Sequence, residues 1–244
     1  MTNSSHSLSG KKVIILGGSS GIGLATAIAA ASEGAKVGIV SSNREKLDQA
    51  LKILPKDAQA FAVDLSKEEN IKNLFAQIGR FDHLLYTAGE NLSMGSIAET
   101  AIDSAREFFT VRFWGAYAAA KYASPLINEG GSINLTSGTA GIRPGKNWSV
   151  AASLCMAMEG LVRALAVELA PIRVNCVIPG VVKTNLWNSM PETDRNNLFQ
   201  TIGDSLPLKR LGEAEDIALA FIYLMKQPYM TGQHIIIDGG AVLV

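Results

Sequence analysis

Charge of one sign, cysteine, histidine and long apolar runs are what this chain has little of. Its 244 residues carry 22 Lys+Arg against 22 Asp+Glu, a formal net charge of zero. Nucleic-acid backbones are neutralised by clustered Lys and Arg, so this balance excludes nucleic acid as the expected partner. The only cysteines, Cys155 and Cys176, form neither a disulfide framework nor part of a ligand cluster. The histidines, His6, His83 and His234, lie far apart and share no spacing with cysteine or carboxylate, so no metal site is expected. No run of about 18 apolar residues stands out as a membrane span. Met1–Ser7 is polar and lacks the apolar centre of a signal peptide. The expectation is a soluble, cytoplasmic protein with no membrane partner.

What is present is core-forming material. Apolar residues make up 48% of the chain and charged residues 18%, which fits one large folded domain over 1–244. Short apolar runs alternate with helical patterns throughout. Val13–Leu16 reads as a buried strand, continuous and apolar rather than alternating, and Val37–Val40, Ala60–Val63, Leu84–Thr87, Ser132–Thr136, Val174–Ile178 and His234–Ile237 continue the strand series. Helices are expected over 22–33, 43–51 with Asn43 as cap, 67–78, 96–127 with a break near Ala101, 150–170 and 214–225. The fold class is α/β: a Rossmann-type, doubly wound parallel sheet of seven strands with helices on both faces. Ligands of such sheets sit beyond the carboxyl ends of the strands. With no second domain, the substrate site is expected on the same sheet, under a lid formed by residues 185–211.

Gly17-Gly18-Ser19-Ser20-Gly21-Ile22-Gly23 opens directly off the first strand. Its glycines allow close backbone approach to a pyrophosphate, and the helix behind it offers free N–H groups and a positive dipole end. A glycine run by itself is also a tight strand–helix turn; its place in the first unit of a doubly wound chain favours a dinucleotide. The G-x-x-x-G-x-G spacing resembles that of the short-chain dehydrogenase/reductase family, and the resemblance extends from Leu8 to Asp238-Gly239-Gly240. It implies a nicotinamide cofactor held by Gly17, Ser19, Ser20, Gly21, Ile22 and Gly23. By the same resemblance Asp64, followed by Leu65, would bond the adenine amino group. Tyr86-Thr87-Ala88-Gly89 is similar to the family's Asn-Asn-Ala-Gly turn with both asparagines replaced, so Thr87, Ala88 and Gly89 would border the cofactor. In Pro179-Gly180-Val181-Val182-Lys183-Thr184, Val182 and Thr184 would hold the nicotinamide carboxamide, with Pro179 and Gly180 beside them.

The end of the second strand chooses the cofactor. An acid there would bond the ribose 2′-hydroxyl and repel a 2′-phosphate. This chain has Ser41-Ser42-Asn43-Arg44 instead. Ser41, Ser42 and the Arg44 guanidinium suit a phosphate, so NADP(H) is favoured over NAD(H). The alternative for Arg44 is a solvated place on the first helical turn.

The family's Ser, Tyr and Lys set, with an Asn one helix earlier, is only partly matched. Ser137, in Leu135-Thr136-Ser137-Gly138, corresponds to the serine. Anchoring on Glu159-Gly160-Leu161-Val162-Arg163 puts Ala151 at the Tyr and Cys155 at the Lys; a shift of one residue gives Val150 and Leu154. Neither register supplies a phenol or an amine. Tyr117-Ala118-Ala119-Ala120-Lys121 has the right internal spacing but precedes Ser137 on the previous helix. At about 100° per residue, Lys121 faces about 180° away from Arg112, which stands at the family's Asn position. Arg112 and Ser137 are therefore the candidate catalytic residues. Arg112 would polarise a carbonyl oxygen or grip a carboxylate, or else bond neighbouring carbonyls structurally. Cys155 is a reactive thiol in the Lys place or a core residue. Asn147 and Trp148 border the same segment. The reading is an NADP(H)-dependent oxidoreductase of small molecules with an atypical site; the alternative is a cofactor-binding, non-redox protein. Family resemblance implies a homo-oligomer, tetramer or dimer, packed through the two long helices.

Overall fold

The first strand explains the sheet. In β1 (Lys12–Leu16), Val13 and Ile15 project to one face and Ile14 and Leu16 to the other, and all four are fully buried. A strand covered on both sides has no solvent-facing positions, which is why its sequence is uniformly apolar. In this computed structural model, which describes residues 7–89, 95–188 and 190–244, seven strands join in one parallel sheet. They are β1, β2 (Lys36–Ser41), β3 (Gln59–Ala62), β4 (Phe81–Tyr86), β5 (Ile127–Thr136), β6 (Arg173–Pro179) and β7 (His234–Ile237). Their order is β3-β2-β1-β4-β5-β6-β7, each pair parallel. The chain order reverses between β1 and β4, and the crevice at that switch point is where a dinucleotide binds in such sheets. The α/β reading of the sequence holds.

Two apolar layers flank the sheet. On one face α1 (Gly21–Ser32), α2 (Arg44–Leu51) and α8 (Ala214–Lys226) pack through Ala27, Ala30, Leu47, Ala50, Ile217 and Phe221. On the other lie α3 (Glu68–Ile78), α4 (Ile102–Phe109), α5 (Ala116–Ala123) and α6 (Ser149–Glu168). Helix α6 is long and apolar enough to cross a bilayer by length and composition. Glu159 and Arg163 interrupt its apolar run. In the fold its Ala151, Leu154, Met158 and Val162 are buried against the sheet, as in a core helix.

Two segments differ from expectation. The stretch 96–127 is not one helix: α4 starts at Ile102, a π-helical segment spans Thr110–Gly115, and α5 follows. A 3₁₀ turn at Ser124–Leu126, with Pro125 in its first positions, ends the helix, and β5 begins at Ile127, five residues before the expected strand. Proline lacks the N–H that would continue the helix. The connection 185–211 carries a 3₁₀ turn at Asn185–Trp187 and a helix of its own, α7 (Glu192–Ser205), whose first turn holds Glu192 and Asp194 at the positive end of its dipole. The expected tail residue His6 lies outside the described residues.

Candidate active site

Beyond the carboxyl ends of β1, β2 and β4 lies a cleft of about 510 Å³. Its floor is the turn after β1. Gly17 has φ +90°, and a Cβ there would stand 2.5 Å from the Ala88 amide nitrogen; a Cβ on Gly23 would stand 2.3 Å from the Gly17 carbonyl oxygen. Both positions are closed to any side chain, and Gly17 serves contact with the β4 turn as much as ligand approach. Ser20 occupies the N-cap of α1 with an extended backbone and makes no side-chain cap bond, and no acid sits in the first turn. The leading N–H groups of a twelve-residue helix thus border the cleft uncapped by their own helix, an arrangement that suits a pyrophosphate.

The adenosine side of the cleft is built by β2 and β3. Ser41, Ser42 and Asn43 line it, and Asn43 caps α2 by accepting the Lys46 N–H at 2.9 Å. Lys46, one turn into α2, lines the cleft, whereas Arg44 does not. The Arg44 side chain is 74% exposed and its Nε lies 3.6 Å from Asp48 across one helical turn. Helical rotation explains the exchange: a residue at the start of α2 points to solvent, and one two positions later swings back. Lys46 is the cation that sequence reading missed; its spacing from the Asn43 cap was the available signal. Asp64 lines the cleft and accepts the Ser66 hydroxyl at 2.6 Å and its amide at 2.9 Å, bonds that hold its carboxyl below the usual carboxylate range. It stays an anionic acceptor, the state needed to take an amino N–H. Thr87, after β4, anchors its turn through N–H to the Leu16 carbonyl at 2.8 Å.

A second cavity, of about 170 Å³ and with mostly apolar walls, shares Ile22, Thr87, Arg112, Ser137, Pro179 and Thr184 with the first. Phe108, Trp148, Leu154 and Trp187 form its walls. Trp187 is tied in place by Nε1 donating to the Val182 carbonyl at 3.0 Å, and Thr184 Oγ1 accepts the Leu186 N–H at 3.4 Å. Gly180 and Val182 line this second cavity. Every sequence-assigned cofactor residue except Arg44 therefore borders one cavity or the other.

Ser137 and Arg112 both line the two cavities. Ser137 Oγ donates to the Cys155 carbonyl at 3.0 Å. Ala151 and Cys155, one turn apart on α6, both line the second cavity, with Leu154 beside them; Val150 does not. Of the two registers, the cavity wall holds both Ala151 and Cys155 of the first but only Leu154 of the second. Burial pushes the Cys155 thiol up, so at neutral pH it is a protonated core thiol and not a thiolate nucleophile. Arg112 comes from the π-helical segment. Its Cζ lies 4.9 Å from the centre of the Phe108 ring, and the guanidinium fills the space where Gly89 has no side chain, since a Cβ there would stand 2.6 Å from Nη1. Lys121 is elsewhere, paired with Glu68 at 2.9 Å, and Tyr117 is half-exposed. Among the described residues no group of three His, Cys, Asp or Glu side chains converges as a metal site would.

A family model described as "Enoyl-(Acyl carrier protein) reductase" matches residues 17–242. Among similar proteins is the short-chain dehydrogenase/reductase fsr5 of Gibberella fujikuroi, 33% identical over 254 residues, covering 97% of this chain and 96% of that one. The chain belongs to the short-chain dehydrogenase/reductase family. It is an oxidoreductase of that family, as the sequence suggested. The crystal structure of a small-chain dehydrogenase in complex with NADPH superposes with a TM-score of 0.87 at 36% identity, covering 96% of this chain and all of that one (100%). The MalC reductase/Diels-Alderase from Malbranchea aurantiaca gives a TM-score of 0.91 at 30% identity, with 99% and 100% covered.

Proposed function

We propose that this short-chain dehydrogenase/reductase binds NADP(H) and transfers hydride to the carbonyl of a small, largely apolar molecule, using Ser137 and Arg112 without a Tyr–Lys pair on α6. The observation that carries the reading is that Ser137 and Arg112 both line the dinucleotide cleft and the apolar cavity that adjoins it. The uncapped α1 N-terminus, Ser41, Ser42 and Lys46 suit the phosphates, and no acid follows β2 to repel a 2′-phosphate. An NADPH-bound structural relative supports the same cofactor; NAD(H) is the lesser alternative. When bound, the dinucleotide supplies the hydride.

The chain's own part is electrostatic. Ser137 Oγ, turned from the Cys155 carbonyl, donates to the substrate oxygen, and Arg112 offers guanidinium N–H donors to the same atom as negative charge develops there. Arg112 remains charged throughout, so it stabilises the alkoxide without giving up its proton. Water entering from the cleft protonates the alkoxide to the alcohol. Ala151 leaves room for that water where a phenol would stand. A positioned acid contributes about 10²–10⁴-fold, so turnover is slow and favours activated carbonyls. Residues 185–211, with Leu186 and Trp187 on the cavity, act as the lid. The exposed Trp114, Tyr117, Met156 and Val167 on the π segment, α5 and α6 form the contact of a homo-oligomer.

A single-turnover assay with stoichiometric NADPH and a panel of activated ketones and 2-oxo acids tests this. Loss of NADPH absorbance in wild type, abolished in Ser137→Ala and Arg112→Ala, is expected. Tight NADPH binding with no oxidation across the panel would select a second reading, in which the cofactor is held without redox turnover. Ala151 and Cys155 on α6, where the resemblance would place a phenol and an amine, favour that alternative.

A further inference from the structure

Tyr86 closes β4 immediately before the Thr87-Ala88-Gly89 turn, at a position where the resemblance places an asparagine. It is almost wholly buried, and its hydroxyl donates to the main-chain carbonyl of Val111. Val111 lies inside the π-helical segment Thr110–Gly115, one residue before Arg112. The phenol also needs a gap in that segment: a Cβ on Gly115 would stand 2.3 Å from Tyr86 Oη. Tyr86 is itself held from below, since Thr136 Oγ1 donates to its carbonyl at 2.8 Å. A rigid strand end thus reaches into the one irregular turn of the helix that carries Arg112.

The irregularity is what gives this contact consequence. A π turn closes from residue i to i+5, one residue more than an α turn, and such turns are short and cluster at functional sites. Relaxing Thr110–Gly115 to α geometry would rotate the residues beyond it by about 100° for the residue gained. Arg112 has little tolerance for that. Its guanidinium sits between the Phe108 ring, 4.9 Å from Cζ, and the backbone of Gly89, whose absent side chain it replaces. We propose that Tyr86 is a positioning residue: its hydroxyl, bonded to Val111, holds the π register that aims Arg112 at the substrate oxygen beside Ser137. Tyr86 also borders the apolar cavity, but its hydroxyl is directed to the Val111 carbonyl, so its effect is exerted through Arg112. This inference rests on the reading of Arg112 given above.

The test uses full-length wild type, Tyr86→Phe, Arg112→Gln and the double variant, with NADPH and 1-phenylpropane-1,2-dione as the probe carbonyl. Tyr86→Phe removes one oxygen and keeps the ring in the core. Its single-turnover rate at saturating dione is expected to fall between about tenfold and a hundredfold, the scale of misplacing a catalytic group by about 1 Å. NADPH affinity and stoichiometry should stay within twofold of wild type, and the double variant should be no slower than Arg112→Gln alone. A crystal structure of Tyr86→Phe should show the guanidinium displaced from Gly89. Full rate in Tyr86→Phe beside an impaired Arg112→Gln, or losses that simply add in the double variant, would overturn the proposal. If wild type leaves the dione unreduced, or Arg112→Gln matches wild type, the reading of Arg112 fails instead. The crystal structure then decides alone: a displaced guanidinium supports positioning by Tyr86, and an unmoved one overturns it.

Discussion

Acidification should weaken this fold through one buried imidazole. His83 sits in the middle of β4, almost fully buried, with Nδ1 2.9 Å from Ser132 Oγ on β5. Burial, with the nearby Arg173 charge adding to it, pulls its pKa down from 6.5 to about 4. Asp82 opposes the shift and Lys11 adds slightly to it. The folded pKa lies below the unfolded one, so the unfolded chain binds the extra proton first and stability falls as pH drops from about 6.5 toward 4. Each pKa unit is worth about 1.4 kcal/mol, so the full loss is about 3 kcal/mol, and most of it is reached by about pH 4.5. That is a large fraction of the ~5–15 kcal/mol typical of a domain. The assay is urea unfolding followed by tryptophan fluorescence at fixed protein concentration from pH 7.5 to 4.5, for wild type and His83→Gln. Glutamine keeps a hydrogen-bonding group near Ser132 but does not titrate in this range. The variant is expected to start less stable and to show a shallower pH dependence, the difference growing toward acid. His234 is present in both proteins and cancels. Parallel curves for the two proteins, or a histidine NMR titration placing His83 near 6.5 in the folded state, would refute the reasoning.

Other consequences are as direct. Lys46→Ala removes the cation from the adenosine end of the cleft and should weaken NADPH by about tenfold or more, the value of one charge-assisted hydrogen bond, with NADH affinity changed less than twofold; equal effects on both cofactors in titrations would sink the assignment. Gly23→Ala places a Cβ 2.3 Å from the Gly17 carbonyl and 2.6 Å from Thr87 Oγ1; a stability loss of about 1–3 kcal/mol with loss of NADPH binding is expected in thermal melts with and without cofactor. Lys121→Ala breaks only the surface pair with Glu68 and the contact with the Tyr122 ring, so the rate of NADPH oxidation should match wild type; a large rate loss would return Tyr117 and Lys121 to the active site.

The α/β architecture was legible because the central strands are buried on two faces, which leaves continuous apolar runs such as Val13–Leu16 that need no tertiary context to be seen; the edge strands β3 and β7 are only partly buried. The dinucleotide cleft was legible for a related reason. Gly17 and Gly23 stand where backbone touches backbone, and that demand admits no other residue, so it is written in residue type. Arg44 and Lys46 are placed differently because helical residues two apart differ by about 200° in direction: the sequence shows a cation near the end of β2, while only the placed helix shows that Lys46 is the one lining the cleft. The π segment escaped notice because Thr110–Gly115 carries no signature distinguishing it from the α-helix around it.

The order of apolar runs and the glycine turn are local properties, and the sequence by itself determined from them a doubly wound sheet and a nucleotide site. Which side chains meet was decided only in three dimensions. Ser137 just after β5, Arg112 from the helical segment after α4 and Tyr86 at the end of β4 come to line one cavity through strands paired across the sheet. Their contacts depend on the register between elements, and register is set by the packing of the whole core, which no single segment encodes.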